Sequence, residues 1–263
     1  MIFIDSHVHI YEPNTADFLT ATARNFEANA KSFNATVLKY QVIILMDPIG
    51  LNTFTLLSKS NMLAAGWEVQ RTKEENSLIA ESSAYGKIVI IQGKQLVTKE
   101  NLEVLAIGSS ETRNYLSLEN TIVEILRKGG IPVIPWGFGK WWGKRGRTLN
   151  DFITKTDSGC YFLGDNGGRP AFLSRPEQFD IAASKGIKIL PGSDPLPIPD
   201  DYKRAATYGF ILEDQLYEDY PAEHIKSLLF SLKSNPPFFG TLCKPGDFLR
   251  RQVLLRLNKR SIN

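Results

Sequence analysis

The sequence predicts an α/β protein that folds as a distorted TIM-like (β/α) barrel with an inserted β-hairpin. Strand and helix patterns alternate over most of the 263 residues, which indicates a parallel sheet. We count about seven or eight core strands, a number that favours a closed or nearly closed barrel over an open sheet. The alternative, an open doubly wound sheet, usually carries a glycine-rich loop after its first strand, whereas this chain has His7-Val8-His9 there.

The N-terminal half supplies the first units and the hairpin. Apolar residues at near-helical spacing predict a helix over 15–34, and the unbroken apolar run 41–47 is typical of a strand buried on both faces. Residues 67–83 are ambiguous, whereas 87–108 has the pattern of two strands joined by tight turns. The predicted elements in order are strand 2–5, helix 15–34, strand 41–47, helix 53–65 and hairpin 87–108.

The alternation resumes after the hairpin. The helix over 118–130 ends in basic residues and glycine, and the helix over 221–234 has Pro221 in its first turn, as is usual at helix ends. No repeat or linker interrupts the chain, so we predict one barrel domain over 1–263, with a basic helix at about 245–260 that packs on the barrel. The alternative is that this helix binds a membrane surface or an acidic partner. The remaining predicted elements are strands 131–136, 160–166, 187–194 and 208–212 and helices 147–156, 174–186 and 200–206.

Composition and charge set the class of protein. The N-terminus lacks the basic and apolar regions of a signal peptide, and no apolar run approaches the roughly 20 residues of a membrane span. The two cysteines, Cys160 and Cys243, show no metal or redox spacing, which favours free thiols. We therefore expect a cytoplasmic protein without a transmembrane segment. The net charge of +3 is too small to indicate a nucleic-acid partner, and we expect none.

Polar, charged and glycine residues gather at the ends of the predicted strands, while the strand bodies are nearly free of them. In a β/α barrel the active site lies at the C-terminal ends of the strands, so this segregation predicts a site there. The candidate residues that follow strands are His7, His9, Glu111, Lys140, Trp141, Arg145, Asp165, Asn166, Arg169 and Asp194.

The two histidines near the N-terminus are candidate metal ligands. Residues i and i+2 of a strand point to the same side, so His7 and His9 can face one cation. Asp5 shares that face in a regular strand and can orient a histidine. The alternative is that both histidines make ordinary hydrogen bonds, but their position at the end of an N-terminal apolar strand favours a metal site.

A first strand that ends in His7-x-His9 and a late strand that ends in Gly192-Ser193-Asp194 resemble the metal-dependent amidohydrolase superfamily. They equally resemble the polymerase and histidinol phosphatase (PHP) family, and the hairpin is more similar to the PHP pattern. In these families the two histidines and the aspartate hold Zn²⁺, Mn²⁺ or a similar ion, and a metal-bound water attacks an amide, ester or phosphoester. The resemblance implies that Asp194 is a ligand and a general base; the alternative is an Asp-Pro turn.

The chain departs from the PHP pattern in ways that imply a reduced site. Gln95 stands where PHP proteins usually have glutamate, Pro195 follows Asp194 in place of the x-His of that family, and the third histidine, His224, falls in a late helix. The histidines that both families supply from middle strands are therefore missing. We expect one divalent ion, zinc or manganese, at an open site that activates water. Its predicted ligands are His7, His9, Asp194 and Glu111, with Asp165 as a further candidate.

The loops after the middle strands predict an anionic substrate. GFGKWWGKRGR (137–147) combines glycines, cations and two tryptophans, and GDNGGRP (164–170) adds another arginine. Arginine and lysine recognise phosphate or carboxylate, and the tryptophans can stack on a planar group. The alternative is a solvated basic loop whose tryptophans pack on a neighbouring helix. The predicted substrate-binding residues are Lys140, Trp141, Arg145, Asp165, Asn166 and Arg169.

Two functions remain open at this point. The first is a metal-dependent hydrolase of an anionic small molecule, either a phosphoester or a carboxylated amide or ester. The second is a catalytically inactive barrel that binds an anionic ligand or a protein partner through its Trp- and Arg-rich loops. The missing histidines favour the second function, whereas the surviving His7, His9 and Asp194 favour the first, which we prefer.

Overall fold

A computed structural model describes residues 1–11, 15–33, 40–60, 62–63, 66–156 and 159–261. Over these residues the chain is a mixed α/β protein with seven α-helices and a twelve-stranded sheet. The strands are β1 (Ile2–Val8), β2 (Tyr40–Asp47), β3 (Met62–Leu63), β4 (Trp67–Arg71), β5 (Ser77–Ser82), β6 (Gly86–Val97), β7 (Glu103–Ile107), β8 (Ile131–Pro135), β9 (Phe162–Asn166), β10 (Ile189–Gly192), β11 (Tyr208–Leu212) and β12 (Phe238–Gly240). The helices are α1 (Thr15–Ser32), α2 (Thr53–Leu57), α3 (Leu118–Arg127), α4 (Gly143–Lys155), α5 (Glu177–Ser184), α6 (Pro221–Ser231) and α7 (Pro245–Ser261).

Nine of the strands form a nearly closed, barrel-like sheet in the order β10-β9-β8-β7-β6-β2-β1-β11-β12. The remaining three, β3 to β5, form an antiparallel extension that joins the sheet through β6. The two ends of the barrel meet where β10 reaches β1: the Asp194 amide donates to the His7 carbonyl at 2.8 Å, and the Ser6 hydroxyl donates to the Pro191 carbonyl at 2.7 Å. The closure therefore brings the end of the last parallel strand against the end of the first.

Gly192 is required at this closure. A Cβ atom on Gly192 would lie 2.6 Å from the His7 backbone nitrogen, so any other residue would push β10 away from β1. Asp5 secures the same junction, since its carboxylate accepts hydrogen bonds from the Ser193 amide at 2.9 Å and the Ala206 amide at 2.7 Å. Burial raises the pKa of Asp5 to about 7, and the hydrogen bonds from Ser193, Ala206 and His7 offset this only in part.

The apolar core has an inner and an outer part. Alternate residues of β1 separate between them: Ile2 and Ile4 pack inside with Val42 and Ile44 of β2, whereas Phe3 packs outside against α1. A third cluster lies under α3, α4 and α5. These layers hold the strands in register, so the residues that follow the strand ends are fixed in space.

The sheet departs from a regular TIM-like barrel, and that finer prediction is not confirmed. Strand β7 runs antiparallel to both β6 and β8, and β11 runs antiparallel to β1. The hairpin predicted at 87–108 exists as β6 and β7, and both of its strands belong to the barrel-like sheet. The ambiguous segment 67–83 contributes β4 and β5, whose Trp67 and Leu78 are buried in the outer core.

Some predicted helices are shorter than expected. The helix predicted over 53–65 ends at Leu57 and a short strand follows, with 61, 64 and 65 outside the described residues. Its start is fixed by Asp47, whose carboxylate accepts from the amides of Thr53 and Phe54 at 3.0 and 3.2 Å. The helix predicted over 200–206 is a 3-10 turn over Asp201–Arg204. Residue 34, at the end of the first predicted helix, lies outside the described residues.

Candidate metal centre

Three of the predicted ligands converge at the junction of β1 and β10. The Nε2 atoms of His7 and His9 lie 2.9 Å apart, and Asp194 Oδ1 lies 3.6 Å from the first and 3.4 Å from the second. Two ligands at about 2.0–2.1 Å from a tetrahedral zinc ion lie about 3.3 Å apart, so these spacings match those of ligands around one ion. The two histidines and the aspartate therefore form a possible metal site.

A hydrogen bond from Nδ1 of His9 leaves the lone pair of the neutral ring on Nε2, the atom that can bind a metal. Its Nδ1 lies 2.5 Å from the Met46 carbonyl oxygen, which can only accept, so Nδ1 carries the proton. The lone pair of Nε2 then points toward the same place as the Asp194 carboxylate. A backbone carbonyl that fixes the tautomer in this way is a common partner of metal-binding histidines.

Asp194 is held in a strained but well-supported conformation. Its φ of 50° lies in the left-handed region, which aspartate adopts more readily than most residues. The Asn166 side-chain amide donates to its Oδ2, and Arg251 donates to its backbone carbonyl at 3.0 Å. These contacts turn Oδ1 toward the histidines and leave Oδ2 bound to Asn166.

The protonation states also fit a cation. Burial lowers the pKa of the His7 imidazole, which keeps it in the neutral form that a metal needs, although Asp194 acts in the opposite direction. Burial opposes ionisation of Asp194, but His7, His9 and Arg251 outweigh it and hold the pKa of this carboxyl well below its usual range. Asp194 is therefore ionised, which is the form of a carboxyl that binds a cation.

Gln95 occupies the place that the sequence comparison with the PHP pattern indicated. Its Oε1 lies 3.2 Å from His7 Nε2, so the residue that stands in for the expected glutamate does reach the centre. Asp5, by contrast, does not orient a histidine ring. The pairing of β1 with β2 shifts register between Asp5 and Val8, so the two-residue alternation does not carry from Asp5 to His7.

A cavity of about 350 Å³ opens at Asp194. Its charged side chains are three cations, Lys140, Arg251 and Arg256, and two carboxylates, Glu103 and Asp194. Among these lining side chains the cations outnumber the carboxylates by one, and arginine and lysine are suited to an anionic ligand. Its other lining residues are Trp136, Gly137, Phe138, Asn166, Gly168, Leu196, Phe248, Gln252 and Leu255.

Two of the predicted substrate-binding residues lie at this cavity. Lys140 lines it and pairs with Glu103, and Asn166 lines it while holding Asp194. Arg145 is turned away: its guanidinium donates to the backbone carbonyls of Asn101 and Gly139. These contacts tie the first turn of α4 to the segments around Asn101 and Gly139, so Arg145 has a structural role here.

The structure places four other predicted residues outside the convergent group. Glu111 is bound by the amide and the guanidinium of Arg113, at 2.7 and 3.2 Å, and does not join the three ligands. Asp165 and Arg169 are buried and form a two-point ion pair at 2.8 Å in each contact. Trp141 is buried against Phe179 in the core. The sequence predicted that these four residues follow strand ends, but neighbouring side chains in the fold already bind or bury them.

Arg251 is a residue of the cavity that the sequence did not predict. It belongs to α7, whose backbone falls on the basic helix predicted at the C-terminus. Arg251 is 6% exposed, pairs with Asp201 at 2.8 Å and reaches the cavity over Gly168. A Cβ atom on Gly168 would lie 2.5 Å from its guanidinium, so glycine is needed for this approach. The mixed basic and apolar pattern of 245–260 was the signal that pointed to this helix.

Comparisons with known proteins show a likeness of fold only. No protein-family model and no curated protein matches the sequence. Among solved structures, PsfC from Pseudomonas syringae PB-5123 matches 100% of this chain and 99% of its own, at 14% identity and a TM-score of 0.52. The lesion-specific endonuclease PfuEndoQ from Pyrococcus furiosus matches 84% of this chain and 55% of its own, at 15% identity and a TM-score of 0.43.

A second Endonuclease Q structure, a complex with a 27-mer duplex substrate with an abasic lesion at the active site, matches 86% of this chain and 56% of its own. Its identity is 16% and its TM-score 0.44. The prediction of a small-molecule substrate and no nucleic-acid partner is contradicted for these neighbours, which are a lesion-specific endonuclease and a complex with a duplex substrate. That prediction depended on a small net charge, which does not report how charge is distributed around a cavity.

The expectation about membranes has a simpler outcome. None of the helices in the described part of the chain combines the length and the apolar character that a bilayer span requires.

Proposed function

We propose that this chain is a metal-dependent hydrolase of phosphoesters, with one divalent ion held by His7, His9 and Asp194. The observation that carries the proposal is the convergence of three ligand atoms within 4.8 Å of one another beside a cavity whose lining includes three cationic side chains. Two nitrogens and one carboxylate oxygen suit zinc or manganese. When bound, such an ion would supply Lewis-acid activation of water and of the scissile bond.

The residues of the chain then have separate tasks. His7 and His9 hold the ion, and Asn166 keeps Asp194 turned toward it. The low pKa of Asp194 favours its role as a ligand over its role as a general base, because such a carboxylate is a weak proton acceptor. Glu111 and Asp165 take no part in this proposal, since both are bound by arginines.

The cations of the cavity support a phosphoester as the substrate. Lys140 and Arg251 each face a carboxylate, but Arg256 pairs with none among the residues whose side chains are described. An exposed guanidinium next to the centre is suited to a phosphate oxygen. The inactive-barrel alternative is not favoured, because the chain keeps its three ligand side chains together.

Activity with added metal tests the proposal. Protein freed of metal with a chelator would be assayed with zinc and manganese against a simple phosphodiester, a phosphomonoester and DNA strands with and without a lesion. We expect hydrolysis of at least one phosphoester that depends on the added ion and is lost again with chelator. The proposal would be contradicted if the protein bound neither ion tightly and hydrolysed none of these substrates.

Gln95→Glu is expected to tighten metal binding about tenfold, because it places a charged oxygen beside His7 where a neutral amide now lies. The measurement is a competition titration of zinc or manganese against a chromogenic chelator. Gln92→Glu is the matched control, since Gln92 lies on the same strand and contributes its backbone to strand pairing. An unchanged or weaker affinity in Gln95→Glu would show that Gln95 does not adjoin the ion.

Arg256→Gln is expected to raise KM about tenfold with little change in kcat, because it removes a charge that binds substrate without touching the reacting atoms. Steady-state kinetics against the phosphodiester measures this. Arg250→Gln is the control, since Arg250 is an exposed arginine of the same helix that lines a different cavity. Equal effects of the two substitutions would indicate general electrostatic attraction instead of a contact at the cavity.

A further inference from the structure

Three of the four tryptophans of this chain line a second cavity beside the metal centre. This tryptophan cavity has a volume of about 310 Å³, within the range of ligand-binding pockets. Its aromatic lining consists of Trp136, Trp141 and Trp142. Two of these side chains are nearly buried, whereas Trp142 is 52% exposed at the rim.

The tryptophan cavity and the metal cavity share a wall. Trp136 lines both of them, and Phe138 of the metal cavity packs edge-on against Trp142 of the other, with ring centroids 5.0 Å apart. Phe138 is itself 41% exposed, so the top of the wall is open to solvent. A ligand can therefore lie across Phe138 and Trp142 with one part in each cavity.

The two cavities differ in chemistry in a complementary way. The metal cavity has an excess of cations and suits a phosphate group. The tryptophan cavity offers the exposed ring of Trp142 as a flat apolar face, and Ser174, Arg175, Glu177 and Gln178 add polar groups to its lining. A planar ring with a polar edge fits such a lining, because it can stack on indole and also form hydrogen bonds at its edge.

We propose that the tryptophan cavity holds the base of a nucleotide unit whose phosphate lies in the metal cavity. This inference rests on the proposed function and names its substrate class. A base and a phosphate joined by a sugar provide one planar and one anionic group, which are the two groups that the adjoining cavities select. Free nucleotides and single strands of nucleic acid both contain this unit.

Binding of strands with and without bases tests the inference. The probes are a single-stranded thymidylate of about eight nucleotides, a strand of equal length in which every base is removed, and thymidine monophosphate. We expect the thymidylate strand to quench tryptophan fluorescence and to bind about tenfold more tightly than the abasic strand, since the stacking of one base contributes a factor of about that size. Equal binding of the two strands would overturn the inference.

Variants locate the effect. Trp142→Ala is expected to weaken binding of the thymidylate strand about tenfold and to leave the abasic strand unaffected, and Trp142→Phe to have a smaller effect. Phe230→Ala is the matched control, because Phe230 of α6 is also 52% exposed and lines neither cavity. Unchanged binding of the thymidylate strand in Trp142→Ala would also overturn the inference.

Competition by the free nucleotide identifies whether the ligand is a nucleotide or a strand of nucleic acid. Competition by thymidine monophosphate at the concentration of the strand would indicate free nucleotides, whereas competition only by strands would indicate nucleic acid. All of these titrations are repeated with a His7→Ala/His9→Ala variant. A base preference that persists there supports the tryptophan cavity independently of hydrolysis, so failure of the proposed function and failure of this inference are distinguishable.

Discussion

A His7→Ala/His9→Ala variant is expected to purify without the metal ion and to lose hydrolytic activity by more than about a hundredfold. The loss follows from the geometry, because two of the three convergent ligand atoms are the Nε2 atoms of these side chains. Mutation of a residue that merely orients a ligand already costs about 10- to 100-fold in metal affinity or activity, so removal of two ligands costs more. Elemental analysis beside a phosphodiesterase assay measures both quantities.

The thermal stability of the same variant provides an independent measurement. A ligand that binds only the folded state adds about 2.7 kcal/mol of stability at a concentration one hundred times its Kd. We therefore expect added zinc or manganese to raise the unfolding temperature of the wild-type protein and to leave that of the variant unchanged. His224→Ala is the control, since the third histidine lies in α6 and its ring packs against Tyr217 with centroids 4.2 Å apart.

Two outcomes would contradict the metal centre. The first is about one equivalent of metal in the double variant as well as in the wild type, which would place the ion elsewhere. The second is a wild-type protein that neither purifies with metal nor gains stability from it. The two imidazoles would then serve only as hydrogen-bonding groups, His9 toward the Met46 carbonyl of β2 and His7 toward Gln95 of β6.

The parts of the centre that the sequence predicted are those that depend on local geometry. His7 and His9 lie two residues apart where β1 ends, and a separation of two residues in extended chain places side chains on one side. Asp194 follows a late strand, and strand ends of a barrel meet at one edge. The register shift within β1 is not visible in the sequence, which is why the interpretation of Asp5 failed.

The side chains around the cavity come together through contacts between segments that are distant in sequence. Arg251 reaches it because α7 docks over Gly168, some eighty residues earlier in the chain, and no local pattern reports that contact. Trp141 follows a strand as predicted, yet Phe179 of α5 buries its ring. Residue type and strand-end position therefore indicated where the candidate site lies. They did not indicate which polar side chains bind one another instead of a ligand.

Arg169→Met is expected to destabilise the protein by about 3–5 kcal/mol, the cost of leaving a buried charge without its partner. Arg169 and Asp165 have side-chain exposures of 8% and 9%, and the guanidinium donates to both carboxylate oxygens at 2.8 Å. The Tyr208 hydroxyl also donates to Asp165, at 2.9 Å, so both carboxylate oxygens of Asp165 accept hydrogen bonds from within the fold. A substrate phosphate would have to break this pair to reach Arg169.

Urea denaturation of Arg169→Met measures the loss, and steady-state kinetics at low temperature measures the KM of the folded protein, which we expect to be unchanged. An Asp165→Leu/Arg169→Met variant is the control, because replacement of both partners leaves no buried charge and is often close to neutral. Since Tyr208 then loses its acceptor, we expect the double variant to recover most but not all of the stability. A stable Arg169→Met protein with a KM raised about tenfold would instead show that this arginine binds substrate, as its place after a barrel strand first indicated.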